Sequence, residues 1–356
     1  MADPALAQNR TVPDLKILVD GSELPLEVDL DIREVIVADY AEGASWFSVH
    51  LSSLNSDTQE LKYIDEPLFK EGTKVEVKLG YDNNLTSLIQ GEVTALEPMF
   101  NMDEAITFRV HGYDSLHRFR RGKKTKSYLE MKDSQIAQQI ASNLGLSAQV
   151  VDTQVVHDYI LQQNQSDIDF LMERARLIRY ELVVEDTTLH FRPAANDESE
   201  VISLEYGLTL QSFYPRLSTL SQVSEVLVQG WDPKTKKAIV GKAGSGDEIS
   251  KMNGADLGAT ITENAFFKSQ KVIVEQPVFT EGEANQIAKS SFNEMTVEFV
   301  SGEGEAVGDA DIRAGEVIEL KGLGERFSGF YYVTCAKHII DPEGYITQFT
   351  VERNAT

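Results

Sequence analysis

The tightest constraint on this chain is the spacing of glycines around β-branched and aromatic runs in its last stretch, Val297–Arg353. Gly315 opens the run Gly315-Glu316-Val317-Ile318-Glu319-Leu320, which Gly322 and Gly324 close. Gly329 then starts Gly329-Phe330-Tyr331-Tyr332-Val333-Thr334-Cys335. Asp341-Pro342-Glu343-Gly344 turns the chain, and Tyr345–Val351 returns. Proline presets one turn angle and glycine tolerates the unusual angles after it, while the flanking residues favour strands. The stretch therefore predicts a hairpin in an antiparallel sheet.

A fainter version of the same order stands near the other end. Gly72–Gly80 parallels the Gly315 run and Gln90-Gly91-Glu92-Val93-Thr94 parallels the Gly329 run. Asn101-Met102-Asp103 falls at the turn, and Ala105–Val110 parallels the final strand. On pattern alone this is either a duplication or two unrelated sheets built with the same turn chemistry. In Lys74–Leu79 the residues Val75, Val77 and Leu79 alternate with Lys74, Glu76 and Lys78, which gives one dry and one wet face.

At 356 residues the chain is too long for one ordinary core, and two or three domains are expected. A hydrophobic share of 42% with 25% charged residues is that of a soluble globular protein. The longest charge-free run, Ser134–Val151, is rich in Gln, Ser and Asn. It cannot serve as a membrane span, which needs roughly 20 mostly apolar residues. No secretory signal is visible at the N-terminus. The single cysteine, Cys335, forbids an intrachain disulfide, which fits synthesis and assembly in a reducing cytoplasm. The net charge of −24 argues against nucleic acid as the main partner, since phosphate binding needs clustered cations.

Taken in order, residues 1–13 read as a flexible arm. Strand signals at Leu15–Val19, Glu27–Leu30, Glu34–Tyr40 and Trp46–Leu51 begin a first β-barrel over residues 14–115. Residues 116–200 form a mixed helix and strand domain. Its first helix carries Ile136, Ala137, Ile140, Ala141 and Leu144 on one face, with Asp133 as the expected cap and Gly145 as the stop. Its second begins at Ser166, with Asp169 three residues on. Residues 201–232 and 296–356 are assigned to a second β-barrel. Residues 233–295 are read as an insertion, with a Lys- and Gly-rich mobile loop to 258 and a helix that Thr280 and Glu283 cap. The fold class is thus α+β, mainly β: two related antiparallel β-barrels joined by a mixed α/β domain.

Catalytic signatures are scarce. Gly241-Lys242-Ala243-Gly244-Ser245-Gly246 lacks the Gly-Lys-Ser/Thr order of a phosphate loop. Gly302–Gly308 is one residue too long for a dinucleotide fingerprint and reads as a turn. Cys335 and His338 lie on one strand, where their side chains face opposite sides, so no zinc site is expected. No catalytic, cofactor-binding or metal-binding residue is assigned, and no enzyme activity is expected. One surface feature stands out. Arg118, Arg120, Arg121, Lys123, Lys124 and Lys126 crowd into nine residues of an acidic chain, as a partner-contact patch, a nucleic-acid contact or a solvated linker.

The order of these pieces resembles a known family. Phe69-Lys70-Glu71-Gly72 leads into the Val75 strand, and Val110-His111-Gly112-Tyr113-Asp114-Ser115-Leu116 precedes the basic run. Asn143-Leu144-Gly145-Leu146, Gln163–Leu171 and the Ala314–Phe349 stretch come after it. Over about residues 15–353 the chain is similar to the phage late-control protein D family, the baseplate hubs of contractile tails. It is also similar to the N-terminal part of VgrG and to hubs of extracellular contractile injection systems. The resemblance implies two related tube domains per chain and a homotrimer that joins a hexameric inner tube protein to a threefold spike, among other baseplate proteins of the particle. VgrG proteins continue beyond their hub part, so the resemblance implies a separate spike protein here. No membrane insertion and no cell-wall hydrolysis are expected from this chain. The alternative from composition is a β-rich carbohydrate-binding or hydrolytic protein.

Overall fold

The structure, a computed structural model, describes residues 12–55, 58–185, 187–196 and 199–356. Most of the expected N-terminal arm lies outside these, and the first strand already begins at Pro13. The first strands are β1 (Pro13–Val19), β2 (Ser22–Glu23), β3 (Ile32–Tyr40), β4 (Trp46–Ser52), β5 (Lys74–Tyr81), β6 (Asn84–Met99) and β7 (Thr107–Tyr113). The middle of the chain holds β8 (Lys124–Met131), β9 (Ser147–Val150), β10 (His157–Gln165), β11 (Tyr180–Glu185) and β12 (Thr188–Pro193). Next come β13 (Ile202–Glu205), β14 (Leu210–Leu217), β15 (Glu225–Asp232), β16 (Lys237–Gly244) and β17 (Gln270–Ile273). The last four are β18 (Val300–Val307), β19 (Val317–Lys321), β20 (Gly329–Asp341) and β21 (Gly344–Arg353).

Thirteen of these strands form one mainly antiparallel sheet, in the order β14-β18-β21-β20-β3-β4-β7-β6-β5-β1-β2, with β19 also on β20 and β13 on β19. Two six-strand sets are visible within it. The first runs β3-β4-β7-β6-β5-β1 and the second β14-β18-β21-β20-β19-β13. Numbered by chain position within each set, both read 2-3-6-5-4-1. They differ at the last pairing, which is antiparallel between β5 and β1 but parallel between β19 and β13.

Each set surrounds its own core. Ile17, Val37, Val49, Val77, Ile89 and Val110, one from each strand of the first set, lie in one buried cluster. Leu204, Leu210, Val300, Ile318, Val333 and Val351 do the same for the second. Burying a Val, Ile or Leu side chain contributes roughly 1.5–3 kcal/mol, so period-two alternation fixes which face turns inward. The separate closed barrels expected from sequence are not what forms. The outer strands β14 and β13 meet only through the bridge Tyr206–Leu210, and β3 and β1 do not pair. Instead β3 of the first set pairs with β20 of the second from Val35–Ile340 to Tyr40–Cys335, which fuses the sets into one sheet.

Two smaller units sit beside this sheet. Helices Asp133–Asn143 and Asp167–Ile178 pack with the β11-β12-β9 sheet and the β8–β10 ribbon around Ile136, Ile140, Leu171 and Phe191. Ser166 caps the second helix, accepting from the Asp169 amide at 3.2 Å. The other unit is the β16-β15-β17 sheet under helix Glu281–Val297, joined through Val226, Ile239, Ala284 and Phe292. Thr280 accepts from the Glu283 amide at 3.1 Å to start that helix.

Several sequence expectations are corrected here. Residues 237–244, expected in a mobile loop, are strand β16, and β15 belongs to this small sheet rather than to the second six-strand set. Gly241 explains the misleading composition: a Cβ there would lie 2.1 Å from the carbonyl carbon of Ala284, so glycine lets the helix backbone close on the strand. Gly302–Gly308, expected as a turn, lies largely in β18. Gly302 and Gly304 leave room for the rings of Phe213 and Phe349, which a Cβ would approach to 2.7 and 2.4 Å. Glu27–Leu30, expected as a strand, lies within and just after the short helix Leu26–Asp29, which begins directly behind Pro25.

Candidate interaction surface

The basic run leads into a two-stranded ribbon. β8 and β10 pair with each other alone, with Tyr128 opposite Ile160 and Leu129 opposite Tyr159. Tyr128 and Ile160 face the core, where Tyr128 stacks on Phe170 with ring centroids 5.6 Å apart. Burial, and then the Asp167 carboxylate, push the Tyr128 hydroxyl up to about 12. The opposite face carries Leu129 (63% exposed) and Tyr159 (52% exposed) side by side, with Leu161 beyond.

The six cations divide. Arg118 ends on Glu92 through both Nε (2.9 Å) and Nη2, tying the short 3-10 helix Ser115–Arg120 to β6. Lys124 Nζ reaches the buried Asp167 at 2.5 Å, and Lys126 Nζ lies 4.6 Å from the centroid of the Tyr128 ring. Arg120, Arg121 and Lys123 are exposed and form no ion pair among the described residues. Three members of the patch are therefore internal fasteners. The other three, around the left-handed Gly122 (φ 79°), present free positive charge beside the apolar ribbon face.

A buried charge network lies where the mixed unit meets the helix of the second small unit. The sequence pattern suggests Asp133 as a helix cap, but Lys132 holds that position, and its amide donates to Gln135 Oε1 at 2.9 Å. Asp133 is instead buried and accepts from Arg174 Nε at 2.6 Å and Nη2 at 3.0 Å. His157 Nε2 lies 3.1 Å from Asp133 Oδ2, and its Nδ1 lies 3.2 Å from Glu283 Oε1. Burial works against a charged His157, yet the Asp133 and Glu283 hydrogen bonds outweigh it and raise the imidazole to about 9. Burial alone would raise Asp133, and the His157 and Arg174 hydrogen bonds hold it below its ordinary range. No sequence pattern announces this network, because its members come from four separate elements.

A second polar cluster marks the seam between the six-strand sets. Arg313, from the loop before β19, donates from Nε to Asp39 of β3 at 2.7 Å and from Nη2 to the Leu88 carbonyl at 2.8 Å. Asp39 Oδ1 also accepts from the Ser45 hydroxyl at 2.9 Å. Asp114 accepts from the Ser45 and Leu116 amides at 2.8 and 2.9 Å, but burial outweighs these bonds and lifts it to about 7.

His338 is fully buried, where desolvation and then Arg313 push it down to about 3, and its Nδ1 lies 2.7 Å from the Tyr345 hydroxyl. Among the described residues no group of three His, Cys, Asp or Glu side chains could hold a metal ion. Glu303 and Glu305 stand on the outward face of β18. No helix among the described residues is long and apolar enough to cross a membrane.

The doubled strand order, the fused sheet and the two flanking units together define a fold that this chain shares with several solved structures. A 43 kDa tail protein of prophage MuSo2 from Shewanella oneidensis is similar at TM-score 0.70 and 15% identity, over 96% of this chain and 98% of that one. A tail protein from Neisseria meningitidis MC58 is similar at TM-score 0.69 and 12% identity, over 96% and 97%. An Escherichia coli protein described as a component of the type VI secretion system is similar at TM-score 0.60 and 9% identity, over 96% and 77%. The chain belongs to the family described as the Alg8 N-terminal domain, which matches residues 9–342. The solved structures above meet the coarser part of the likeness read from the residues, that to tail and type VI components. No curated protein matches the sequence.

Proposed function

We propose that this protein is a structural, non-enzymatic baseplate hub of a contractile tail or injection system. Three copies form a ring that joins a hexameric inner tube to a threefold spike. The observation that carries this reading is the strand order 2-3-6-5-4-1, which occurs twice in one chain. In this reading the two six-strand sets are related tube domains, and three chains supply six like units with threefold symmetry. The similar fold of phage tail proteins and of a type VI component supports it. The outer strands β14, β13 and β2 of the branched sheet offer edges through which copies would pair, removing the aggregation hazard of an exposed edge. The free cations Arg120, Arg121 and Lys123 would face an acidic partner in the baseplate.

The test is solution mass by light scattering, for the protein alone and with its tube protein. Three copies of a 39.6 kDa chain give about 119 kDa. A particle of that mass with threefold averages in electron microscopy is the expected result. A chain that stays monomeric even on assembled tube refutes the proposal.

A further inference from the structure

The ribbon of β8 and β10 is the smallest sheet among the described residues, and β8 pairs with no strand but β10. Its inner face is committed, with Tyr128, Ile160 and Gln162 buried. Its outer face is bare. Ser127, Leu129, Tyr159 and Leu161 are exposed, with Leu129 opposite Tyr159 and Ser127 opposite Leu161. A strand with one edge unpaired keeps a row of amides and carbonyls open to another strand.

Charge is graded along β8. Arg120, Arg121 and Lys123 stand exposed just ahead of its first residue, Lys124, and form no ion pair among the described residues. Glu130 stands exposed at the far end. Three free cations within four residues reverse the sign of a chain whose net charge is −24, and complementarity calls for carboxylates there. Pairing of β8 with β8 of a second copy across a twofold axis would set these three cations against the single Glu130. Charge therefore favours a segment more acidic than the ribbon itself.

We propose that the open edge of β8 receives an extended, carboxylate-bearing segment of a partner protein, which joins the ribbon as its third strand. Backbone hydrogen bonds along β8 supply the affinity, and ion pairs with Arg120, Arg121 and Lys123 set the register. Antiparallel addition, the pairing β8 already makes with β10, places the carboxylates at the C-terminal end of the segment. Uncharged residues before them pass Ser127 and Leu129. The inference rests on the hub reading for where the partner is found, but the contact itself does not depend on threefold assembly.

The probe is fluorescein-labelled Thr-Val-Thr-Val-Thr-Asp-Asp-Glu-amide, titrated into the full chain by anisotropy, with hydrogen exchange followed on the same complex. Binding is expected, with slower exchange across residues 124–131 and weaker affinity as salt rises. Arg120→Ala, Arg121→Ala and Lys123→Ala combined should weaken it about tenfold, and the unfolding midpoint shows that this variant is folded. N-methyl groups separate strand addition from loose charge attraction, because only every second residue points its N–H at a given neighbour. Methylating one alternate set of amides should abolish binding, and methylating the other should leave it within about twofold.

Equal binding of the peptide ending in Asn-Asn-Gln, equal affinity of the two methylated sets, or protection at another edge instead of β8 overturns the proposal. Rejection of every probe does so too, and leaves the cations as guards against stray strands. Protection of β8 that rises with chain concentration alone gives the edge to a second copy, which also overturns it. A chain that forms the trimer yet ignores the probe refutes this contact and not the hub; a chain that stays monomeric and binds it refutes the hub and not the contact.

Discussion

Replacing His157 with glutamine isolates one contribution to the buried network. The imidazole binds its proton more tightly folded than unfolded, at about 9 against an ordinary value of 6.5. Each tenfold gain in proton affinity is worth about 1.36 kcal/mol, so the protonated ring contributes about 3 kcal/mol well below pH 6.5. That contribution is lost as pH rises through the folded value. It falls to roughly 1.4 kcal/mol near pH 8 and to almost nothing near pH 10. Asp133 and Glu283 keep Arg174 nearby in the variant, and repacking around the amide adds an offset that does not vary with pH. The assay is urea unfolding of wild type and His157→Gln at about pH 6, 8 and 10. The gap between the curves should shrink by about 3 kcal/mol across the series. A gap of constant size would refute the claim that His157 is held as a cation, and an NMR midpoint for its ring near 6.5 would do the same.

Further outcomes rest on the geometry of the seam, the small sheet and the basic run. Arg313→Ala leaves the buried Asp39 without its cation and removes a donor from the Leu88 carbonyl, and calorimetry should show a loss of about 3 kcal/mol. Gly241→Ala drives a Cβ into the Ala284 backbone, so the β16 unit should lose at least about 2 kcal/mol and exchange its amides faster. Among the cations, Arg118→Ala and Lys124→Ala should each cost roughly 1–2 kcal/mol, because Glu92 and Asp167 stay behind buried. Arg120→Ala, Arg121→Ala and Lys123→Ala should each stay within about 0.5 kcal/mol of wild type in the same unfolding assay.

The sequence reveals whatever depends on near neighbours. The Asp341–Gly344 turn, with Asp341 accepting from the Glu343 amide at 2.8 Å, stands where its residues place it, as do the helix starts at Ser166 and Thr280. The parallel between the Gly72 and Gly315 runs is matched by β5 and β19, which hold equivalent places in the two sets. Strands β16 and β18 escape a local reading because their glycines answer to distant partners, the Ala284 backbone and the rings of Phe213 and Phe349. The basic run is plain, but its division is not, because Glu92 and Asp167 come from elsewhere in the chain. Asp133 suggests a local task, capping, while its partners His157 and Arg174 lie on other elements. Closure of each strand set is also beyond local reading, since β3 can commit its free edge either to its own set or to β20.

The β3–β20 pairing has a mechanical consequence. Six residue pairs of backbone lace the halves edge to edge, with the Arg313 clamp beside them. A swivelling linker would let one half tilt while the other stayed still. Here the ladder and the clamp oppose such a tilt, so hydrogen exchange at the β3–β20 amides is expected to be as slow as within either half.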